Sequence, residues 1–310
     1  MRDKVYGVLG LRAQGDSAFE QMGLLDPDYE KPSHHVFRDA VRYILLTEPN
    51  PLYILRTVHH RNEADICSDG HSSWVPRLDR KETPDVDPYP LADHSEIEVH
   101  SNVVFQNPES LDVSQGDTII IHGRILDEFQ RLTPVFDDET LSNTDRCRMA
   151  FQQVLNTVSD DDDLSSRLAR TLIADSNVRQ SRSCAQDLDG YGPFLERLGV
   201  SNGPMCHDND DADEKVAKLS RYWPALVAAL NRKVAVTQHG LLGLVPLVST
   251  QGDQVVFFGH SPVPFVVRPC GPGYLFLGEC YVDGIMSWQE ERQKMLKRCG
   301  PLSEEVFHLH

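Results

Sequence analysis

The chain has 310 residues, enough to bury a sizeable core, and 40% hydrophobic with 25% charged residues is ordinary for a soluble globular protein. The formal net charge of -17 argues against nonspecific nucleic-acid binding, because Lys and Arg are too few to neutralise a row of phosphates. Seven Cys without a CxxC pair make a poor disulfide framework, and no run approaches about 18 apolar residues, so we expect a cytoplasmic protein that is not in a membrane.

The first predicted elements are helical. RDKVYGVLGL (2–11) places Val5 and Leu9 four positions apart, where they can share one face of a helix. A clearer stripe follows in SHHVFRDAVRYILL (33–46), with Ser33 as a candidate N-cap. Its apolar positions recur at helical spacing: Val36, Phe37, Ala40, Val41, Ile44 and Leu45. We expect this stripe to be an exposed hydrophobic surface of the kind that marks an interface.

The next elements are less regular. PLYILRTV (51–58) is predicted to be extended or a short helix, and the Pro-, Asp- and His-rich tract 59–96 has no periodicity and is predicted to be loop. From residue 97 the pattern changes to strands, because IEVHSNVVF and GDTIIIHGRIL are rich in β-branched residues and a turn-rich connector separates them.

Residues 140–230 return to helical periodicity. One stripe contains Cys147 and Phe151, the next contains leucines four positions apart after an acidic run, and Pro224 should kink the third helix or restart a second one. The last part is rich in β-branched and aromatic residues again. It contains KVAVT, GLLGLVPLV, DQVVFFG, PFVVRP and GYLFLGECYVDG with short turn segments between them, which predicts a small antiparallel barrel or sandwich.

Seven short motifs follow one another along nearly the whole chain. They are RDKVYGVLGL, SSWVPRLD, RTLIAD, GLLGLVP, GD, PFVVRP and GECYVDGIM. In this order they resemble the fungal heterokaryon-incompatibility (HET) domain proteins. The resemblance implies a cytoplasmic fungal protein that takes part in nonself recognition after cell fusion and can trigger cell death. It also implies a distant kinship of the N-terminal domain to Toll/interleukin-receptor-like signalling domains.

Two departures from the family pattern matter. In the family the motif RDKVYGVLGL lies towards the end of the HET domain, whereas here it follows Met1, so we expect the chain to lack most of that domain. The motif SSWVPRLD carries Arg77 and Leu78 where the family commonly has Asp-Trp.

The fold class that we predict is α+β, with a helical N-terminal remnant and a small antiparallel β-barrel or sandwich that carries an inserted helical segment. Its predicted parts are the end of the HET domain (1–58), a loop-rich connector (59–96) and a C-terminal α+β domain (97–310) with strands in 97–127 and 232–283 and helices in 140–230.

Glu279 is the most interesting carboxylate. Strand alternation places Leu275, Leu277 and Glu279 on one face and Cys280 on the other. A buried Glu beside an Arg such as Arg268 is either a binding or catalytic group or a salt-bridged strand end, and the second interpretation is favoured. Gly278 would then allow close backbone approach or a bulge, and Asp283-Gly284 would form a turn.

Other candidate residues are expected to be structural or interaction residues. Arg170 is expected to pair with Asp175 and fix the helix of the motif RTLIAD, with ligand binding as the alternative. Three more come from the first two motifs: Arg2, Asp3 and Trp74.

Templates for known chemistry fit poorly. The spacing of His60, Cys67 and His71 matches no zinc pattern, and DNDDADE (208–214) lacks the Gly and Glu of a calcium loop and is expected to be a solvated charge run. GHSPV (259–263) fails the GxSxG elbow, and no phosphate-binding glycine motif occurs.

We therefore predict no catalytic residues, no metal and no cofactor. The predicted function is non-catalytic recognition or regulation through a protein partner, with no nucleic acid and no membrane involved. An enzyme fragment, either a hydrolase or an NAD-consuming domain, is the alternative.

Overall fold

The computed structural model describes most of the chain. The described residues are 2–9, 25–66, 70–80, 111–113, 116–137, 139, 143–157, 164–174, 188–199, 211–259, 261, 263–286, 297, 299–300, 302 and 304–310. Its α-helices are α1 (Asp3–Leu9), α2 (Ser33–Thr47), α3 (Glu63–Ile66), α4 (Thr144–Thr157), α5 (Leu164–Leu172), α6 (Tyr191–Arg197) and α7 (Ala212–Ala225), with 3-10 helices at Pro51–Thr57 and Leu226–Ala229. Its strands are β1 (Leu111–Asp112), β2 (Ile119–Leu132), β3 (Arg232–Thr237), β4 (Leu242–Pro246), β5 (Gln254–Phe258), β6 (Phe265–Cys270), β7 (Gly273–Glu279), β8 (Tyr281–Val282) and β9 (Glu304–Leu309).

Strand β2 organises the sheet. Its 14 residues pair antiparallel with β1, β9, β5 and β3 in turn, so the strand predicted within GDTIIIHGRIL lies beside the C-terminal strands. The order β5-β6-β7-β9-β2 returns to β5 and forms a ring, and β3, β4 and β8 extend from it. Strands β7 and β9 pair in parallel at Tyr274 and Leu309. The α+β class is confirmed, and the expected barrel or sandwich is a ring that does not form a complete barrel.

The helices between β2 and β3 pack around an aromatic cluster. Its rings lie 5.2 to 5.7 Å apart along the series Phe136, Phe151, Phe194 and Tyr222. Pro224 lies in the last turn of α7, and a 3-10 helix continues the chain, as the missing backbone N–H of proline leads one to expect.

Helix α2 corrects one prediction from the sequence. Ser33 is its first residue and Pro32 is its N-cap without a side-chain hydrogen bond. The apolar stripe is not an exposed surface, because it lies in one core cluster with Leu55 and Trp74. Its buried members are Val36, Phe37, Val41 and Leu45, which are between 0% and 4% exposed. The chain's own residues cover the stripe, and helical periodicity alone could not distinguish this from an interface.

The described part of the predicted loop 59–96 also contributes to the core. It contains α3, and His60, Ile66 and Trp74 are each at most 4% exposed. The predicted strand IEVHSNVVF lies outside the described residues.

Candidate functional site

The segment GECYVDG, residues 278–284, begins with a bulge at the end of β7. Val266 pairs with Gly278 but Val267 pairs with Phe276, so Leu277 is the extra residue. Gly278 has φ +135°, and a Cβ there would lie 3.0 Å from the Val58 carbonyl oxygen. The sequence predicted close backbone approach or a bulge at this glycine, and the structure has both.

The bulge changes the face on which Cys280 lies. Its side chain packs in one core cluster with Leu277, and Leu275 packs against that cluster. The predicted placement of Cys280 opposite these leucines is wrong, because simple alternation does not continue past an extra residue. Complete burial raises the pKa of the Cys280 thiol, which disfavours its nucleophilic thiolate form.

Glu279 is buried between two arginines. Arg56 donates from Nε to Oε2 at 2.9 Å, and Arg232 donates from Nη2 to Oε1 at 3.1 Å. Arg232 also donates from Nη1 to the Glu279 carbonyl oxygen at 3.2 Å. The three side chains are 6% exposed or less. Burial lowers the pKa of Arg232, and the Glu279 carboxylate opposes this shift. We call these three residues the Glu279 cluster.

Arg268, which the sequence suggested as the partner of Glu279, lies in a different ion-pair group. It donates to both carboxylate oxygens of Asp253, at 2.8 and 3.0 Å, and to Glu63 at 2.7 Å. Its hydrogen bonds to Asp253 are the largest cause of its raised pKa. The sequence offered Arg268 only as an example of a partner, and local patterns could not show that Arg56 and Arg232 bind Glu279.

Asp283 is the second buried carboxylate of the segment. Arg167 donates from Nε to Oδ2 at 3.0 Å, and Arg170 donates from Nε to Oδ1 at 2.9 Å. The Asp283 side chain is 0% exposed, whereas that of Arg170 is 19% exposed. Arg167 also donates to the Gly240 carbonyl oxygen at 2.9 Å. We call these three residues the Asp283 cluster.

The Asp283 cluster revises the expected pairing of Arg170. Asp283 is a partner of Arg170, and Asp175 lies outside the described residues. The predicted turn at Asp283-Gly284 is present, with Gly284 at φ +75°. The sequence signalled a turn here but did not identify the ion pair. The only available clue was a pair of arginines three apart in a predicted helix, which share one helix face.

A small cleft lies beside the Glu279 cluster. Its lining includes His60, Asn231 and Gly278, and the space open to water is about 10 Å³, room for a single water molecule. The His60 Nε2 lies 2.9 Å from the Phe276 carbonyl oxygen and 3.1 Å from that of Ser73. Burial lowers the pKa of His60, which favours the neutral ring. The arrangement suits joining chain segments better than admitting an organic substrate.

The remaining predicted residues make structural contacts. Arg2 donates to the Tyr29 carbonyl oxygen, and Asp3 accepts from the Tyr29 hydroxyl at 3.1 Å. Trp74 is 0% exposed and donates from Nε1 to the Asp117 carbonyl oxygen at 3.0 Å.

The other motifs are also accounted for where the structure describes them. Asp211 of the acidic run is the N-cap of α7 and accepts from the Glu214 backbone N–H at 2.8 Å, so this residue is more than part of a solvated charge run. Ser261 of GHSPV is buried and donates to the Val263 carbonyl oxygen at 2.8 Å. Cys67 lies outside the described residues, among which no group of His, Cys, Asp or Glu could hold a metal ion. None of the helices in the described ranges is long and apolar enough to cross a membrane.

Comparisons with known proteins agree with the motif pattern. Residues 207–295 match the family model of the Het-6 beta-barrel domain, a range that contains Arg232, Glu279 and Asp283. The chain is 26% identical over 335 aligned positions to heterokaryon incompatibility protein 6, OR allele, of Neurospora crassa, an alignment that covers 92% of this chain and 48% of that protein. The chain thus spans about half the length of this curated relative, and no solved structure matches it. These matches confirm the resemblance of the chain to the fungal heterokaryon-incompatibility proteins.

Proposed function

We propose that this chain is a non-catalytic recognition or regulatory region of a heterokaryon-incompatibility protein. In this proposal it acts in the cytoplasm, binds a protein partner and contributes to nonself recognition and programmed cell death. The observation that carries the proposal is that residues 278–284 hold two buried carboxylates, each bonded to two arginines from other parts of the fold.

The two clusters connect three parts of the molecule. Through Arg56, the Glu279 cluster ties the 3-10 helix at Pro51–Thr57 to strands β3 and β7. Through Arg167 and Arg170, the Asp283 cluster ties α5 to the end of β8. A partner that shifted the N-terminal segment or the inserted helices would therefore act directly on the same short segment, residues 278–284.

The electrostatics favour a connecting role over chemistry. A buried carboxylate with two arginine partners has its charge compensated, and removal of a partner leaves an expensive buried charge. Such a group holds elements in one arrangement, because separating them would leave those charges without compensation. The cleft beside Glu279 has room for about one water molecule, which is too little for a nucleotide.

Induced expression in a fungal host tests the proposal. We expect residues 1–310 alone not to kill cells, and we expect them to reduce the death caused by a co-expressed full-length incompatibility protein of the same type. The matched variant Glu279→Gln should lose this effect, whereas Glu304→Gln, which alters an exposed ion pair, should retain it. Immunoblots should confirm equal protein levels.

A second assay separates binding from catalysis. Purified chain is incubated with NAD, and the nucleotides are followed by chromatography. We expect no turnover. Consumption of NAD that depends on the purified chain, or robust death caused by residues 1–310 alone, would contradict the proposal and favour an enzyme fragment.

A further inference from the structure

A group of three histidines lies where the start of α2 meets residues 70–71. The ring centroids of His34 and His35 are 4.3 Å apart, and those of His34 and His71 are 5.5 Å apart. Gly70 has φ +75°, and a Cβ there would lie 2.8 Å from the His34 Nε2. The loop therefore lies tightly against the helix, and the three imidazoles share a small, partly buried space.

We propose that His34, His35 and His71 form an acid-sensitive contact that releases helix α2 from the rest of the core when the pH falls. We call these three residues the histidine cluster. This inference rests on the packing of α2 and does not depend on the proposed function.

The charges around the histidine cluster are mainly those of arginines already bonded to carboxylates. On the helix side, Arg38 pairs with Asp39 and with Asp117, which precedes β2. On the loop side, Arg77 pairs with Asp79 at 3.0 Å and Arg80 pairs with Asp65. Lys31 also pairs with Asp39. Protonation of an imidazole therefore adds positive charge beside cations, while the nearby carboxylates are already engaged.

Burial and nearby cations determine how the histidine cluster responds to a fall in pH. Burial, followed by Arg77, lowers the pKa of His71 from 6.5 to about 4, against the opposing effect of Asp79. Burial also lowers the pKa of His35, and Arg38 and His34 add to this effect, whereas Asp117 and Asp39 oppose it. Because the folded pKa of His71 is depressed, acid favours the open state. The stability of the contact is retained above pH 6.5 and is lost as the pH falls towards 4.

Release of α2 would have a large local effect. The helix buries Val36, Phe37 and Val41, each at most 1% exposed. An opening at the histidine cluster would expose this apolar face, which the folded chain keeps covered. Protonation of the histidine cluster would thus turn a buried face of the core into an exposed apolar surface.

Hydrogen exchange of the full chain between pH 7.5 and 5.5, corrected for the intrinsic pH dependence of amide exchange, tests this inference. His71 alone should raise the opening constant of residues 33–47 about tenfold over this range. Strands β5 and β6 should change much less. His71→Asn should remove most of the pH dependence, measured relative to its own value at pH 7.5, and His71→Gln serves as a second variant if the first folds poorly.

The exposed His308 on β9 provides the matched control, because the ring contacts that define the histidine cluster do not include it. His308→Asn should keep the wild-type pH dependence. The inference is overturned if α2 shows no pH-dependent opening, if both His71 variants keep it, or if His308→Asn removes it equally.

Discussion

The Glu279 and Asp283 clusters look alike in composition but differ in how they are built. The partners of Glu279 come from two distant parts of the chain, 223 and 47 residues away, and all three side chains are nearly inaccessible. The partners of Asp283 lie three positions apart on the single helix α5, and Arg170 remains 19% exposed. The first cluster therefore fixes the interior of the fold, whereas the second holds one helix at its rim.

The largest effect is expected at Glu279. Glu279→Gln should lower the free energy of unfolding by roughly 3 to 5 kcal/mol, because it leaves buried arginines without their compensating charge. Chemical denaturation monitored by circular dichroism measures this loss. Glu304→Gln is the control, since its pair with Arg124 is exposed and should contribute less than about 1 kcal/mol. Equal losses in the two variants would contradict the difference in burial.

A smaller loss is expected at Asp283. Asp283→Asn should cost roughly 2 to 3 kcal/mol, because water reaching the partly exposed Arg170 can compensate part of the lost carboxylate charge. The same denaturation experiment ranks this variant against Glu279→Gln. A loss at Asp283 larger than that at Glu279 would show that helix attachment contributes more than the interior cluster does.

Gly278→Ala tests the bulge at the end of β7, next to Glu279. The change should cost about 1 to 3 kcal/mol, because φ +135° disfavours an L side chain and the new Cβ would meet the Val58 carbonyl oxygen. Gly271→Ala is an informative control, since its φ is also positive but a Cβ there would meet nothing within 4 Å. If both variants lose the same stability, the close approach at Gly278 contributes nothing beyond its backbone conformation.

The smallest expected effect is the difference in stability between variants of the two arginines of α5. Arg167→Met should destabilise the chain more than Arg170→Met, because Arg167 is more deeply buried and also bonds the Gly240 carbonyl oxygen. The difference should be about 1 kcal/mol, the typical net contribution of one hydrogen bond. Thermal unfolding of the two variants side by side provides the measurement, and the reverse order would contradict the assignment.

Much of the fold followed from the sequence, because local patterns specify local structure. The helical stripe of α2, the turn at Asp283-Gly284 and a close approach or bulge at Gly278 were all predicted from spacing and residue type. The partners of Glu279 could not be predicted in this way. Arg56 and Arg232 reach the carboxylate because the end of the 3-10 helix segment lies against Gly278 and because β3 joins the sheet through β2 and β4, a long-range arrangement that no local pattern encodes.

The absence of long-range information in local patterns also explains why the stripe of α2 was wrongly expected to be exposed. An amphipathic helix shows that one face is buried, but the pattern is identical whether the chain itself or a partner covers it. Trp74 and Leu55, which share its core cluster, lie in segments that had been predicted to be loop or a short element. Residues 278–284, in contrast, were singled out from the sequence because a charged residue, Glu279, lies in an apolar strand. The arginine partners of Glu279 were not predicted.

The central claim is that residues 278–284 hold two different parts of the chain through two separate clusters. Hydrogen exchange of Glu279→Gln and Asp283→Asn, under conditions where both variants remain folded, tests it most directly. We predict that Glu279→Gln speeds hydrogen exchange in residues 51–58 and that Asp283→Asn speeds it in residues 164–174, each with little change in the other region. If both variants loosened the same region, or if neither region changed, the two clusters would not be separate connections.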